Sequence, residues 1–141
     1  GFRTVIDDAT ADRARVHRLV LCSGKVFYDI VGHEERGAAT GVAVARVEQL
    51  YPFPVDDLIG LIAGYPSLRE VVWTQEEPQN MGPWRSIRHR LDEAARSGSS
   101  VPTVTYVGRT WKASPSEGYP TAHQREQDRI VRVALGAGHA G

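Results

Sequence analysis

The stretch Leu19-Val20-Leu21-Cys22-Ser23-Gly24-Lys25-Val26-Phe27-Tyr28-Asp29-Ile30-Val31 changes its apolar period at its middle. Its first four residues are a continuous apolar run, the pattern of a strand covered on both faces, and Ser23-Gly24 supplies a tight turn behind them. From Lys25 to about Glu35 the apolar positions Val26, Phe27, Ile30 and Val31 gather on one side of a helix, which Gly37 ends. A buried strand leading straight into a helix is the opening of a β-α-β unit.

The same grammar recurs down the chain. Gly41 to Val47 is short and β-branched, followed by the turn Tyr51-Pro52-Phe53-Pro54 and a helix from about Val55 to Ala63, with Pro54, Asp56 and Asp57 suited to its first turn. Glu70 to Thr74 is the next strand, then a polar loop and a helix from about Trp84 to Arg96 whose inner face runs Trp84, Ile87, Leu91, Ala94 and Ala95. Thr103 to Val107 predicts a fourth strand, Gly108 to Tyr119 a long loop, and His123 to Leu135 a closing helix carrying Ile130, Val131 and Val133. The expected fold is α/β, a mainly parallel sheet with helices on both faces. Residues 1–17 read as a connector or arm, 18–135 as the domain and 136–141 as a Gly/Ala tail.

Composition narrows the function. The 141 residues suffice for one domain, and 41% apolar with 24% charged residues is globular usage. Seventeen basic residues balance seventeen acidic ones, which removes the global field of a nucleic-acid or anionic-membrane binder; any anion site is local. The single cysteine, Cys22, forms no internal disulfide, and neither a membrane span nor a leader is present, so a cytoplasmic, soluble protein is expected. The chain starts at Gly1 and holds its only methionine at Met81, as a segment of something larger would.

In open parallel sheets ligands sit at the carboxyl ends of the strands. There Ser23-Gly24-Lys25 offers backbone amides and an ammonium to a phosphate or carboxylate, although neither G-x-x-x-x-G-K-[ST] nor G-x-G-x-x-G is present. An ordinary turn with a solvated lysine explains it equally well. Glu76 and Glu77 are adjacent carboxylates; neighbouring side chains point apart, which favours capping or ion pairing over an acid-base dyad. The five histidines lack metal-ligand spacing, no G-x-S-x-G elbow is present, and Cys22 in an apolar strand reads as a small hydrophobe.

Four blocks stand out together: Leu21-Cys22-Ser23-Gly24-Lys25-Val26-Phe27-Tyr28-Asp29; Val44 to Pro54, containing Glu48-Gln49-Leu50-Tyr51-Pro52-Phe53-Pro54; Val72 to Trp84, containing Gln75-Glu76-Glu77-Pro78; and Tyr106-Val107-Gly108-Arg109 with Ala113-Ser114-Pro115 and His123-Gln124. In order and loop length, over about residues 18–135, they resemble the C-terminal domain of the thiamine-diphosphate-dependent, decarboxylating component of 2-oxoglutarate dehydrogenase, including the related multifunctional 2-oxoglutarate metabolism enzyme. Phe27, Met81 and Pro83 depart from the family's usual C-S-G-K-V-Y-Y-D and Q-E-E-P-x-N-Q-G-A-W.

The resemblance implies a transketolase-like C-terminal domain in a homodimer, packed beside the domains that bind thiamine diphosphate and magnesium, and non-catalytic alone. The implied parent decarboxylates 2-oxoglutarate in the tricarboxylic acid cycle and passes succinyl to a lipoyl-bearing acyltransferase. Some actinobacterial relatives are activated by acetyl-CoA at this domain, which makes Ser23, Lys25 and Arg46 candidates for an effector or anion site, and Gln75, Glu76, Glu77 and Trp84 candidates for an interface or loop role. Two rival readings are an effector-binding module for acetyl-CoA or a nucleotide, and a pure dimer-assembly module in which Trp73, Trp84 and Trp111 mark buried contacts.

Overall fold

Leu19, Val20, Leu21 and Cys22 are all fully buried because helices cover both faces of the strand they form. The computed structural model describes residues 3–109 and 120–136; Trp111, the block Ala113-Ser114-Pro115, most of the expected Gly108–Tyr119 loop and residues 137–141 of the expected tail lie outside them. The order of elements is β1 Val5–Ile6, β2 Arg18–Cys22, α1 Val26–Val31, β3 Val42–Val47, α2 Val55–Ala63, β4 Glu70–Thr74, α3 Trp84–Gly98, β5 Thr105–Tyr106 and α4 Pro120–Ala134.

The sheet order is β1-β3-β2-β4-β5; β3, β2, β4 and β5 are parallel and β1 is antiparallel at the edge. Leu19 and Leu21 turn to one layer, α2 and α3, while Val20 and Cys22 turn to the other, α1 and α4. This is the expected three-layer α/β arrangement. Strand order reverses between β2 and β4, so the crevice that such sheets use lies above Cys22 and Thr74, which are paired in register.

Helix α3 buries the expected face, Trp84, Ile87, Leu91, Ala94 and Ala95. Its close approach to α2 depends on Gly98, where a Cβ would stand 2.8 Å from the Ile59 carbonyl oxygen. Helix α1 stops at Val31, short of Glu35, because the His33 ring nitrogen takes the Glu35 N–H at 3.1 Å and draws the chain into turns. Strand β5 is shorter than Thr103–Val107, since the Asp92 carboxylate accepts the Val104 N–H at 2.7 Å. Helix α4 begins at Pro120 rather than His123, a residue suited to a first turn. Its far end is capped from the sheet: Arg18 donates to the Val133 and Ala134 carbonyls at 2.8 and 2.9 Å while pairing with Glu70 at 2.8 Å.

The largest difference from the sequence expectation is in residues 1–17. The stretch expected as a connector contributes β1, and its acidic residues are anchors instead of solvated charges. Asp8 Oδ2 accepts the Val44 N–H at 2.9 Å and the Arg36 guanidinium at 2.6 Å; its Oδ1 accepts from Thr10. Asp7 accepts from the Tyr65 hydroxyl and pairs with Arg13. Asp8 thus takes the place of a strand partner where β1 ends, protecting an edge that would otherwise present free N–H groups.

Burial acts to raise the Asp8 pKa, but bonds from the Thr10 side chain, the Val44 and Thr10 amides and the Arg36 charge outweigh it and hold the carboxyl below its usual range. A depressed folded value adds stability above the unfolded value, about 4, that disappears as pH falls through the folded one. Asp8→Asn is therefore expected to lower the melting temperature at pH 7, with the gap to wild type closing below about pH 4. Parallel thermal melts of the two proteins across pH check this; a gap that stays constant with pH would refute the assignment to the ionised carboxylate.

Candidate functional site

The carboxyl ends of the parallel strands carry three short loops and one helix flank, and the sequence places polar residues on each. After β2, Gly24 takes a positive φ of 72°, which turns Ser23-Gly24-Lys25 directly into α1. Lys25 is exposed and sits on the lip of a cleft of about 600 Å³ between α1 and α4, lined also by Tyr28, Asp29, His33, Gln127 and Asp128. Ser23 is half-buried.

Arg46 lies one strand away, in register with Cys22. Its guanidinium is 4.8 Å from the centre of the Phe27 ring, pairs with Glu48 at 2.9 Å and donates to the Tyr28 hydroxyl, while its Nε is buried without a partner. The Thr74 hydroxyl, on the same row beyond Cys22, is likewise buried and unpartnered. Ser23, Lys25 and Arg46 therefore share one rim, but the positive charge of Arg46 is already shared with Glu48. Helix α1, six residues long with Lys25 as its N-cap, aligns few peptide dipoles, so an anion here would depend on side chains rather than on the helix start. Cys22 is inert in this setting, its thiol pushed up to about 12 by burial.

The loop after β4 is organised from within by Gln75, 1% exposed. Its Oε1 accepts from the Trp73 indole at 2.9 Å and the Trp84 N–H at 2.8 Å; its Nε2 donates to the carbonyls of Glu77, Pro78 and Met81 at 3.2, 3.0 and 2.7 Å. A side-chain amide with both acceptor and donors placed this way can close a loop that no backbone ladder reaches. The departures Met81 and Pro83 leave this intact: Met81 contributes its carbonyl while its side chain is exposed, and Pro83 is the N-cap of α3. Trp84 and Trp73 are core residues of this domain rather than markers of an assembly surface.

Glu76 and Glu77 do not converge. Glu76 Oε1 accepts from Gln127 on α4 at 3.3 Å, whereas Glu77 contributes its backbone carbonyl to Gln75 and to the Tyr106 hydroxyl. Gln127 is the hub the sequence did not disclose, tying α4 to Asp29 on α1 at 2.9 Å and to Glu76, and accepting from Arg109 at 3.4 Å. Arg109, 8% exposed, also meets the His123 ring at 3.1 Å. Tyr106 donates to the Arg109 carbonyl at 2.6 Å, and burial pushes its phenol up to about 12, so it remains a donor at every physiological pH. Arg109 and His123 had a signal, both falling in the fourth sequence block, the first where the fourth strand leads into its loop and the second at the expected start of the closing helix; Gln127 had none, because a glutamine in mid-helix looks like any solvated residue.

A parallel-rich three-layer α/β domain whose strand-end loops are closed by internal polar hubs is a scaffold of the doubly wound class. Residues 1–135 match a family model described as 2-oxoglutarate dehydrogenase C-terminal, and the chain belongs to that family. It is similar to proteins named 2-oxoglutarate dehydrogenase E1 component: 46% identical over 138 residues in Bacillus velezensis, 48% over 126 in Bacillus subtilis and 41% over 126 in Coxiella burnetii. The matches cover 88–95% of this chain and 13–14% of those relatives, so the chain spans about a seventh of their length.

Proposed function

We propose that this domain is a structural and regulatory part of a 2-oxoglutarate dehydrogenase that decarboxylates 2-oxoglutarate and transfers succinyl to the lipoyl group of a partner acyltransferase, as a cytoplasmic homodimer. The observation that carries this reading is the family match over residues 1–135. It is supported by the site, where the blocks Cys22–Lys25, Gln75–Pro78 and Arg109 with His123 all border one rim, Gln75 and the Arg109–His123 pair holding it together.

The parent's cofactor, thiamine diphosphate with magnesium, supplies the carbanion chemistry when bound. The rim does not fit it: Arg46 and Arg109 are engaged with side chains of this domain, and no group of three metal-ligating side chains occurs among the described residues. No reaction step is assigned to residues of this segment.

The effector reading is favoured by one specific observation, the exposed Lys25 on the lip of the α1–α4 cleft, one strand from Arg46 with its unpartnered Nε. The deciding measurement is 2-oxoglutarate decarboxylation by the full-length parent, with thiamine diphosphate and magnesium, in the presence and absence of acetyl-CoA. Activation that weakens several-fold in Lys25→Ala is the result expected if the rim holds an effector. Activity without activation would leave a scaffold, and no activity would overturn the parental assignment.

A further inference from the structure

Residues 4 to 8 are attached to the domain one after another, and mainly to a single strand. The Thr4 carbonyl accepts the N–H groups of Glu48 and Gln49 at 2.8 and 3.3 Å, Val5 and Ile6 pair with Val47 and Arg46, Asp7 accepts from Tyr65, and Asp8 accepts from Val44. Every N–H and carbonyl taken on β3 or just after it belongs to the segment that holds Arg46 and Glu48. Those two residues are themselves ion-paired at 2.9 Å on the rim, with Arg46 stacked on Phe27 and bonded to Tyr28 at the start of α1.

A strand of two residues is marginal by its own ladder, so this strap belongs to the part of the fold that opens most easily. Two devices thus act on one stretch of backbone, the strap through Val44, Arg46, Val47, Glu48 and Gln49 and the ion pair through Arg46 and Glu48. Loosening either relaxes the other, and by reciprocity anything that grips one tightens the other.

We infer that the strap of residues 4–8 and the Arg46–Glu48 pair form one coupled conformational unit, through which the rim and the chain preceding this domain in a parent of the relatives' length sense each other. The ligand end of this inference rests on the effector reading above; the coupling itself rests only on the contacts just given.

The test is hydrogen exchange on the full-length parent, followed in peptides covering residues 3–8, 42–49 and, as a remote control, β4. Asp8→Asn is expected to speed exchange in residues 42–49 about tenfold, and Arg46→Gln to speed exchange in residues 3–8 by a similar factor, with β4 unchanged in both. The second result carries the proposal, because Arg46→Gln alters no side chain of the strap. Exchange in residues 3–8 within about twofold of wild type in Arg46→Gln would overturn the coupling, as would equal acceleration in β4, which reports general destabilisation. Inorganic pyrophosphate added to wild type is expected to slow residues 3–8. If it has no effect while Arg46→Gln behaves as expected, the coupling is upheld and the effector reading of the rim falls.

Discussion

Gln75→Leu is expected to destabilise this chain by about 4 kcal/mol, among the largest effects of any single polar substitution in it. Leucine fills a similar volume, so little of the loss comes from a cavity. What it leaves behind is the Trp73 indole N–H, the Trp84 backbone N–H and the Met81 carbonyl without that partner, while the Glu77 and Pro78 carbonyls keep the Tyr106 hydroxyl and the Met81 N–H. Unsatisfied buried groups cost about 1–3 kcal/mol apiece, less where the loop can move toward water. Trp73 and Trp84 both contact the altered site, so urea unfolding followed by tryptophan fluorescence reads it directly. A loss below about 1 kcal/mol would mean that the loop closes without Gln75. Gly82, at a φ of 66°, would then hold the loop together with the Met81 N–H to Pro78 carbonyl bond at 2.9 Å and the Tyr106 hydroxyl on the Glu77 carbonyl.

Arg18→Met is expected to release the last turns of α4 while the sheet stays formed, at a cost of about 2–4 kcal/mol. Arg18 joins β2 to the end of α4 through two carbonyls and to β4 through Glu70, so its removal leaves the Ala134 carbonyl at a buried helix end without that donor, while the Val133 carbonyl keeps the Gly136 N–H. Methionine keeps the apolar stem, which separates loss of the charge from loss of packing. The middle of α4 is held differently, by His33–Asp128 at 2.7 Å and Gln127–Asp29 at 2.9 Å, and its last turn keeps one surface tie, Arg132–Glu35 at 2.7 Å, all partly exposed. Hydrogen exchange should therefore show faster opening across Ile130–Leu135 before any change in β2 or β4. Simultaneous loosening of all three elements would show that Arg18 supports the sheet as a whole.

Gln75 belongs to a strand-end rim in which most polar groups are engaged with another part of the same domain, and Arg18 acts at the opposite, amino-terminal edge of the parallel strands. Gln75 closes one loop, Tyr106 joins that loop to the next, Gln127 ties both to α1 and α4, and Arg18 fixes the far end of α4. Such a rim presents a defined surface, on which the structural and regulatory role proposed above rests, in a chain about a seventh as long as the relatives it matches. Lys25, exposed beside the α1–α4 cleft, the Thr74 hydroxyl and the Arg46 Nε are exceptions.

The order of strands and helices, the inner face of α3 and the family were legible in the sequence, because each rests on a local signal: an apolar period, a turn residue or a contiguous motif. Leu19–Cys22 had to be a covered strand whatever surrounded it, and Trp84, Ile87, Leu91, Ala94 and Ala95 had to share a face. The strap, the Gln127 hub and the Arg18 cap were decided only by the tertiary structure. Asp8 meets Val44 across 36 positions, Gln127 meets Asp29 across 98 and Arg18 meets Val133 across 115. A polar side chain satisfied by a partner so distant carries no periodic trace, since its solvated alternative has the same local sequence; only the packing of the layers removes the water and makes the partner necessary.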